Sequence, residues 1–247
     1  LAKIERGAIK TPSVFTVAGI ARVLGIGMDE LMGVVVDSEP QHVLKKTSKN
    51  GTKFLYMDIN GCLVRFFQGA FTRLSHETGI PSDVVESTFW HHNDAVCRGE
   101  LTLEEFNHTL ADKFGVDTLD FMSYYMDAVE PITEAHDVLF WAAEHYKVGL
   151  LSNIMPGSIK QMIANGKLPN ISYDPITDSS QVHAIKPEIE IYENAQEKSG
   201  VQADEVLFVD DSRTNLMAAE RLGWKVLWFD DYRPADSAQK IRSALEY

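Results

Sequence analysis

The chain has 247 residues, 45% hydrophobic and 24% charged, a globular composition that is long enough for one core together with a smaller domain. Its formal net charge of −13 repels nucleic acid from the chain as a whole, and we expect neither a secretory leader nor a membrane span, which needs an apolar run of roughly 20 residues. The two cysteines, Cys62 and Cys97, offer no disulfide framework, so the sequence predicts a reducing, cytoplasmic setting.

Residues 1–36 are predicted to form short helices. One helical face is formed by positions that recur at helical spacing, namely Val17, Ile20, Ala21 and Leu24. The words KIERG, TPS and IARVLGIGMDEL resemble the C-terminal half of a Cro/C1-type helix-turn-helix domain. In that family the recognition helix ends at the position of Ile4–Gly7 and lies in the DNA major groove.

The earlier helices of such a domain are absent from this sequence. The resemblance therefore implies DNA binding only through a complete version of the segment. We expect residues 1–36 as given to be a helical extension that packs against the main domain or a second subunit, and a homodimer is one expectation because helix-turn-helix relatives usually dimerise. Since residue 1 is Leu, we expect the chain to begin inside a longer product. Residues 37–52 are polar and contain Pro40 and Gly51, which predicts a linker.

A short apolar run, Phe54–Met57, leads into Asp58, and Gly61 then allows a sharp turn. Such a run bounded by glycine is typical of a buried strand in a parallel sheet. An acid placed where the strand stops lies at the carboxyl edge of the sheet, where open α/β sheets bind their ligands. Asp58 is therefore the first candidate for a reacting group.

Residues 66–130 are predicted to be a helical cap inserted after this strand. Four helices are expected, over Phe67–Glu77, Asp83–Trp90, Leu103–Phe114 and Leu119–Ala128. Capping boxes at Asp83–Glu86 and Thr102–Glu105 would start two of them. An insertion at this point forms a natural lid that excludes water and selects the substrate.

A group of potential metal ligands lies within the cap, namely His91, His92, Asp94 and Cys97. Their spacing matches no zinc signature, so a loop at the edge of the cap is the favoured interpretation. Trp90, His91 and Arg98 are candidates to face the substrate from above.

From Pro131 onward, helices and apolar strands alternate, which favours a doubly wound parallel α/β sheet. Strands are expected over Val148–Leu151, Ile171–Ile176, Val206–Val209 and Lys225–Phe229. Helices are expected over Thr133–Tyr146, Gly157–Asn165, Glu188–Ser199, Arg213–Leu222 and about Ala235–Leu245.

Polar residues in a fixed order follow these strands, namely Asp58, Ser152-Asn153, Lys186-Pro187 and Asp210-Asp211. Together they resemble the haloacid dehalogenase superfamily over roughly residues 53–247. The words LLSN, AIKPEIEIYENA and VLFVDDSRTNLMAAERLGW are similar to a subgroup that contains sugar-phosphate phosphatases and the N-terminal phosphatase domain of epoxide hydrolases. The resemblance implies a Rossmann-like core over residues 53–65 and 131–247, with residues 66–130 as the cap.

The resemblance also implies a Mg²⁺ site. Asp58 and Asp211 would bind the ion directly, Asp210 directly or through water, and the backbone carbonyl of Asn60 would be a further ligand. A divalent cation cancels the repulsion between a carboxylate nucleophile and a phosphate ester. Read singly, Asp210-Asp211 could instead be a helix N-cap.

In the same resemblance, Asp58 is the nucleophile and forms an aspartyl-phosphate that water then hydrolyses. Lys186 would neutralise the transferring phosphoryl group and orient Asp58. Ser152, together with the Asn153 backbone, would donate hydrogen bonds to phosphoryl oxygens. Singly, Ser152 and Asn153 could be turn formers and Lys186 a surface charge, but their joint occurrence favours a catalytic site.

Asn60 departs from the phosphatase pattern. Phosphatases of this superfamily usually carry Asp two residues beyond the nucleophile, where it protonates the leaving alcohol and then activates water. Since an amide cannot do this, and general acid–base catalysis contributes about 10²–10⁴-fold, slow turnover is expected.

Three functions follow from these residues. The favoured one is a Mg²⁺-dependent phosphatase acting on a small phosphorylated metabolite, because paired Asp210-Asp211 suits Mg²⁺. The alternatives are a hydrolytic dehalogenase, in which a halide leaves without an acid, and a phosphometabolite sensor that controls a helix-turn-helix DNA-binding module.

Overall fold

The computed structural model describes Thr16, Val17, Ile20 and residues 45–247. Thr16, Val17 and Ile20 are helical, while the remainder of the helix-turn-helix-like segment and the first part of the predicted linker lie outside the described residues. The chain divides into two compact units, Leu1–Val43 and Leu44–Tyr247. None of the described helices is long and apolar enough to cross a membrane.

The second unit is built on a parallel sheet. Its strands are β1 (Phe54–Met57), β2 (Lys147–Ser152), β3 (Ile176–Asp178), β4 (Val206–Asp210) and β5 (Lys225–Trp228). They lie in the order β3-β2-β1-β4-β5, and all four neighbouring pairs are parallel. The central strand β1 is paired on both sides, with Met57 opposite Leu150 and Val209. The predicted parallel α/β sheet is confirmed.

Helices connect the strands and cover both faces of the sheet. After β1 come α1 (Gln68–Thr78), α2 (Ser82–Cys97), α3 (Leu103–Phe114), α4 (Phe121–Ala128) and α5 (Thr133–His145). Further along are α6 (Ser158–Ala164), α7 (Ser179–Val182), α8 (Ile189–Ser199), α9 (Arg213–Arg221) and α10 (Pro234–Ala244).

The residues of β1 alternate between the two faces of the sheet, and all four side chains are buried. Leu55 and Met57 pack in the cluster that contains residues of α5, α10 and the helices α1–α4. Phe54 and Tyr56 pack on the opposite face with residues of α8 and α9. Because a strand covered on both faces is apolar throughout, its first polar residue marks the edge of the sheet.

The chain enters and leaves the α1–α4 insertion at adjacent points. Val64 forms an antiparallel bridge with Pro131. The Arg65 N–H donates to the Glu130 carbonyl at 2.8 Å, and the Ile132 N–H donates to the Leu63 carbonyl at 2.9 Å. This pairing supports the proposed cap over residues 66–130.

The interior of the cap is aromatic. Phe121 and Tyr125 of α4 are buried together with one ring from each of the other cap helices and with the Phe67 ring just before α1, namely Phe67, Phe71, Phe89 and Phe106. Thr102 and Glu105 form the predicted capping box of α3, with each side chain accepting from the other residue's backbone N–H. The box predicted at Asp83–Glu86 is wrong: α2 begins at Ser82 after Pro81, and no side chain caps it.

Two further sequence predictions are corrected. The strand predicted over Ile171–Ile176 is instead Ile176–Asp178, so it starts directly after Pro175, which carries no N–H for a ladder. Helix α2 continues to Cys97, seven residues past the predicted end at Trp90, so the group from His91 to Cys97 is helical and not a loop.

Candidate active site

Three polar side chains reach one edge of the sheet because their strands are adjacent and parallel. Asp58 directly follows β1, and its N–H donates to the Val209 carbonyl at 3.0 Å, which extends the pairing of β1 with β4 to this residue. Ser152 ends β2 and Asp210 ends β4. The three positions predicted from the sequence therefore meet in space.

Three carboxylates form a cluster at this edge. Asp58, Asp210 and Asp211 each offer an oxygen, and these oxygens all lie within 4.8 Å of one another. Gly61 passes directly beside them with φ at +78°, a conformation that L side chains rarely adopt. A Cβ at Gly61 would lie 2.6 Å from Asp211 Cγ. The turn after β1 therefore requires glycine for its conformation and for space beside Asp211.

The buried ammonium of Lys186 lies against this cluster. Lys186 Nζ is 2.9 Å from Asp58 Oδ1, 2.6 Å from Asp210 Oδ2 and 3.1 Å from the Leu151 carbonyl. Burial lowers the pKa of Lys186, but the neighbouring Asp210 and Asp58 outweigh burial and raise it. Lys186 is thus a permanently charged partner and not a surface lysine, with its side chain only 1% exposed.

The Asn153 side chain fixes the backbone of Lys186. Its Oδ1 accepts from the Lys186 N–H at 2.7 Å, and its Nδ2 donates to the Lys186 carbonyl at 2.9 Å. This two-point contact bridges 33 residues of sequence. Asn153 is therefore more than a turn former, since it sets where Lys186 enters the site.

One ammonium does not balance three carboxylates, and the pKa values reflect this. Burial raises the pKa of Asp58 to about 6; Lys186 opposes the rise and Asp210 adds to it. The pKa of Asp211 is raised to about 7 by desolvation of its carboxyl, with further contributions from Asp58 and Asp210. The cluster holds more negative charge than its surroundings stabilise.

Asp210 is held by the start of α9. Its Oδ1 accepts from the Ser212 N–H at 2.7 Å, and Asn215 Nδ2 lies 3.1 and 3.2 Å from its two oxygens. The N-cap position of α9 is occupied by Ser212, whose side chain makes no capping bond. Asn215 was not predicted as a functional residue. It lies in the same family-like stretch as Asp210-Asp211, about one helical turn later, and this position could have indicated its role.

Residues 62–229 match the family model described as haloacid dehalogenase-like hydrolase. This chain belongs to that family. The predicted superfamily and the predicted hydrolase class are confirmed. The comparisons do not show the helix-turn-helix resemblance of the first 36 residues, which stays a prediction.

Curated relatives of the family include a phosphatase and dehalogenases. The chain is 28% identical over 181 residues to D-ribitol-5-phosphate phosphatase from Bacteroides thetaiotaomicron, covering 68% of this chain and 79% of that protein. It is 29% identical over 83 residues to (S)-2-haloacid dehalogenase from Pseudomonas fluorescens, covering 34% of this chain. The match spans only 36% of that dehalogenase.

Solved structures of the family share the fold. A haloacid dehalogenase family enzyme from Bacteroides thetaiotaomicron, in complex with magnesium and inorganic phosphate, superposes with a TM-score of 0.62 at 23% identity, covering 73% of this chain and 96% of that one. L-2-haloacid dehalogenase from Xanthobacter autotrophicus gives a TM-score of 0.55 at 20% identity, covering 71% of this chain and 76% of that one.

The carboxylate cluster fits Mg²⁺, which is present in a solved structure of this family. Its donors are hard oxygens, which Mg²⁺ prefers. Asp58 Oδ1 is buried and makes no hydrogen bond of ordinary geometry, although the Lys186 ammonium lies beside it. A divalent cation between Asp58, Asp210 and Asp211 would supply the missing positive charge.

Ser152 carries a second buried oxygen without a hydrogen-bond partner among the described residues. The residue is 1% exposed, and its hydroxyl lies close enough to Asp58 to favour that carboxylate's ionised form. A hydroxyl beside Asp58 that makes no hydrogen bond of ordinary geometry is suited to donate to a bound anion.

Asn60 faces the cap. Its Oδ1 accepts a hydrogen bond from the Tyr125 hydroxyl of α4 at 2.8 Å. A cavity of about 20 Å³ lies between cap and core beside this pair, and its lining includes Cys97, Asn93 and Asn153. This volume holds about one water. Tyr125 was not predicted as a functional residue, and its contact with Asn60 was not predicted from the sequence.

The candidate ligands on α2 do not form a metal site with one another. In the described part of the chain, the group of three or more acidic, histidine or cysteine ligands is the one at Asp58. Cys97 is buried, while Arg98 pairs with Glu188 of the core at 2.5 Å. Trp90 stacks on Phe66, with ring centroids 5.7 Å apart.

Proposed function

We propose that this protein is a Mg²⁺-dependent phosphatase that hydrolyses a small phosphorylated metabolite through an aspartyl-phosphate on Asp58. The observation that carries the proposal is the convergence of Asp58, Asp210, Asp211 and Lys186 at one edge of the sheet. A phosphatase among the curated relatives and a magnesium–phosphate complex among the structural neighbours support it.

In this proposal the carboxylates of Asp58, Asp210 and Asp211, with the Asn60 carbonyl, hold Mg²⁺, which when bound cancels negative charge on the phosphate. Lys186 keeps Asp58 ionised and turned toward the edge of the sheet. Its fixed position, set by Asn153, means that little reorganisation is needed during the reaction.

An oxygen of Asp58 forms a bond to phosphorus while the bond from phosphorus to the leaving oxygen breaks with its electron pair. Water then attacks the phosphorus of the aspartyl-phosphate, which releases phosphate and restores the Asp58 carboxylate. Ser152 and the Asn153 backbone are proposed to donate to the phosphoryl oxygens. Asn60 cannot transfer a proton to the leaving group, which makes turnover slow for poor leaving groups.

The test uses p-nitrophenyl phosphate, whose leaving group needs little protonation. We expect Mg²⁺-dependent release of p-nitrophenolate by the natural protein and none by Asp58→Asn. Thermal unfolding of both proteins checks that the variant is folded. Equal rates for the two proteins would refute the enzyme proposal.

Hydrolytic dehalogenation is the second candidate, and the dehalogenase relatives together with Asn60 favour it. A halide departs without a proton, and the reaction needs no metal. Halide release from 2-chloropropionate in EDTA, abolished by Asp58→Asn, would establish this activity. The same experiment without release would remove it.

The remaining alternative is a phosphometabolite sensor attached to a DNA-binding module, which the sequence of residues 1–36 motivates. Stabilisation against heat by a phosphorylated metabolite without any turnover would favour the sensor. DNA binding is proposed only for a complete version of the N-terminal segment. The homodimer and the cytoplasmic setting also stay predictions.

A further inference from the structure

The hydrogen bond between Tyr125 and Asn60 joins the cap to the catalytic edge of the core. Tyr125 is 1% exposed, and its ring packs edge-on against Phe67 with centroids 4.7 Å apart. The phenol donates to Asn60 Oδ1 at 2.8 Å across 65 residues of sequence. The amide of Asn60 is therefore fixed at its oxygen by a rigid, enclosed donor.

The enclosed phenol determines which end of the amide faces it. A tyrosine phenol is neutral near pH 7, and the enclosed Tyr125 therefore carries an O–H that requires an acceptor. If the amide were reversed, Nδ2 would meet the phenol oxygen and the buried O–H would lose its acceptor, which is costly. Nδ2 has no protein partner among the described residues, and Asn60 lines the cavity between cap and core.

We propose that Tyr125 is a positioning residue that holds the Asn60 amide so that Nδ2 donates a hydrogen bond to the leaving-group oxygen of the substrate. This rests on the proposed phosphatase function and names its substrate class: phosphates whose leaving group departs as a stable anion, above all acyl phosphates and aryl phosphates. Asn60 is then a fixed hydrogen-bond donor in the place of a proton donor.

The chemistry of the departing oxygen supports this class. When the bond to phosphorus breaks, the electron pair stays on the leaving oxygen. A carboxylate or nitrophenolate is stable as an anion near neutral pH, and an N–H donor stabilises its charge without giving up a proton. An alkoxide requires a proton that an amide cannot supply.

The same contact makes the selectivity depend on cap closure. Tyr125 belongs to α4 of the cap and Asn60 to the turn after β1, so the amide is held while cap and core are in contact. The Arg98–Glu188 ion pair and the hydrogen bond between the His183 ring and the Arg98 carbonyl, at 2.9 Å, hold another part of this interface. The donor is thus aligned only while the cap is docked on the core.

The test compares Tyr125→Phe with a matched control, Tyr124→Phe. Tyr124 is the preceding residue of α4, and its hydroxyl donates to Glu77 of α1 in an exposed contact. The substrates are acetyl phosphate, p-nitrophenyl phosphate and ribitol 5-phosphate, each with Mg²⁺. We expect the natural protein to have a kcat/KM about 10²-fold or more higher for the first two than for ribitol 5-phosphate.

Tyr125→Phe should lower kcat for p-nitrophenyl phosphate about 10-fold with KM unchanged, since a donor held by one hydrogen bond becomes free to rotate. Tyr124→Phe should leave kcat and KM unchanged. In an Asn60→Ala background, adding Tyr125→Phe should have no further effect on kcat, because the group that Tyr125 positions is gone. A purely structural role for Tyr125 would lower kcat in both backgrounds.

The proposal is overturned if Tyr125→Phe retains full kcat, or if ribitol 5-phosphate is hydrolysed as efficiently as acetyl phosphate. If thermal unfolding shows that Tyr125→Phe is not folded, the Asn60→Asp variant is used for the test. Its rate on ribitol 5-phosphate must rise relative to its rate on p-nitrophenyl phosphate. An unchanged ratio of the two rates overturns the proposal. Failure of the phosphatase function itself is distinct, since no phosphate would then be hydrolysed.

Discussion

Replacing Gly61 by alanine tests the carboxylate cluster without removing any carboxylate. The new Cβ would lie 2.6 Å from Asp211 Cγ and closer still to a carboxylate oxygen of that residue. Gly79, at the end of α1, offers a matched control. Its φ of +73° resembles the +78° of Gly61, but a Cβ there would meet nothing within 4 Å.

Both variants place alanine in the left-handed region, so each should lose about 1–2 kcal/mol of unfolding free energy. Only Gly61→Ala pushes on Asp211, whose side chain must retreat by about 1 Å to reach ordinary van der Waals contact. Disturbing the residues that orient a metal ligand already costs about 10–100-fold in affinity. For displacement of a ligand we expect a loss of about 100-fold in Mg²⁺ affinity, or roughly 2.7 kcal/mol.

Calorimetric titration of Mg²⁺ into the two variants and the natural protein measures this difference directly. The Mg²⁺ concentration that gives half-maximal hydrolysis of p-nitrophenyl phosphate is an independent readout. Gly79→Ala should retain the natural affinity despite its similar loss of stability. Equal affinities for Gly61→Ala and Gly79→Ala would show that Asp211 does not bind the ion, and the geometric reasoning would fail.

Two further predictions concern charge. In EDTA, the free energy of unfolding should fall as the pH rises from about 4 to about 7. Folding raises the pKa of Asp58 from 3.8 to about 6 and the pKa of Asp211 from 3.8 to about 7. In this pH range the folded protein therefore keeps protons that the unfolded chain has released. Urea unfolding measures this loss, which Mg²⁺ should reverse; an Asp211→Asn variant as pH-dependent as the natural protein would contradict it. Lys186→Met should cost roughly 3–5 kcal/mol at pH 8, because Asp58 and Asp210 lose their buried partner. The cost should shrink at pH 5, where Asp58 gains a proton, and the same cost in urea unfolding at both pH values would refute this explanation.

The edge of the sheet could be predicted from the sequence because its signals are local. An apolar run that ends in a polar residue marks the end of a buried strand, as at Asp58, Ser152 and Asp210. The error at β3 has a physical cause as well. Ile171 and Tyr173 are partly buried against the core. Their apolar spacing is therefore due to the packing of an irregular segment that ends at Pro175, and not to a strand.

The supporting contacts could not be predicted because they join distant parts of the chain. Asn153 fixes the Lys186 backbone from 33 residues away, and Tyr125 reaches Asn60 across 65. An asparagine beside a strand end is also a common turn residue, and a tyrosine on an apolar helical face is usually interior packing. Only the docking of cap on core gives these side chains their partners.

The side-by-side crossing of the chain at Val64 and Pro131 has an evolutionary consequence. A block whose two ends are joined by backbone hydrogen bonds can grow, shrink or be exchanged whole, since the span that closes it does not change. The register of β1 against its neighbours is set by Phe54–Met57, which precede this crossing in the chain. New substrate preferences can therefore arise between residues 65 and 130 while the carboxylates keep their places.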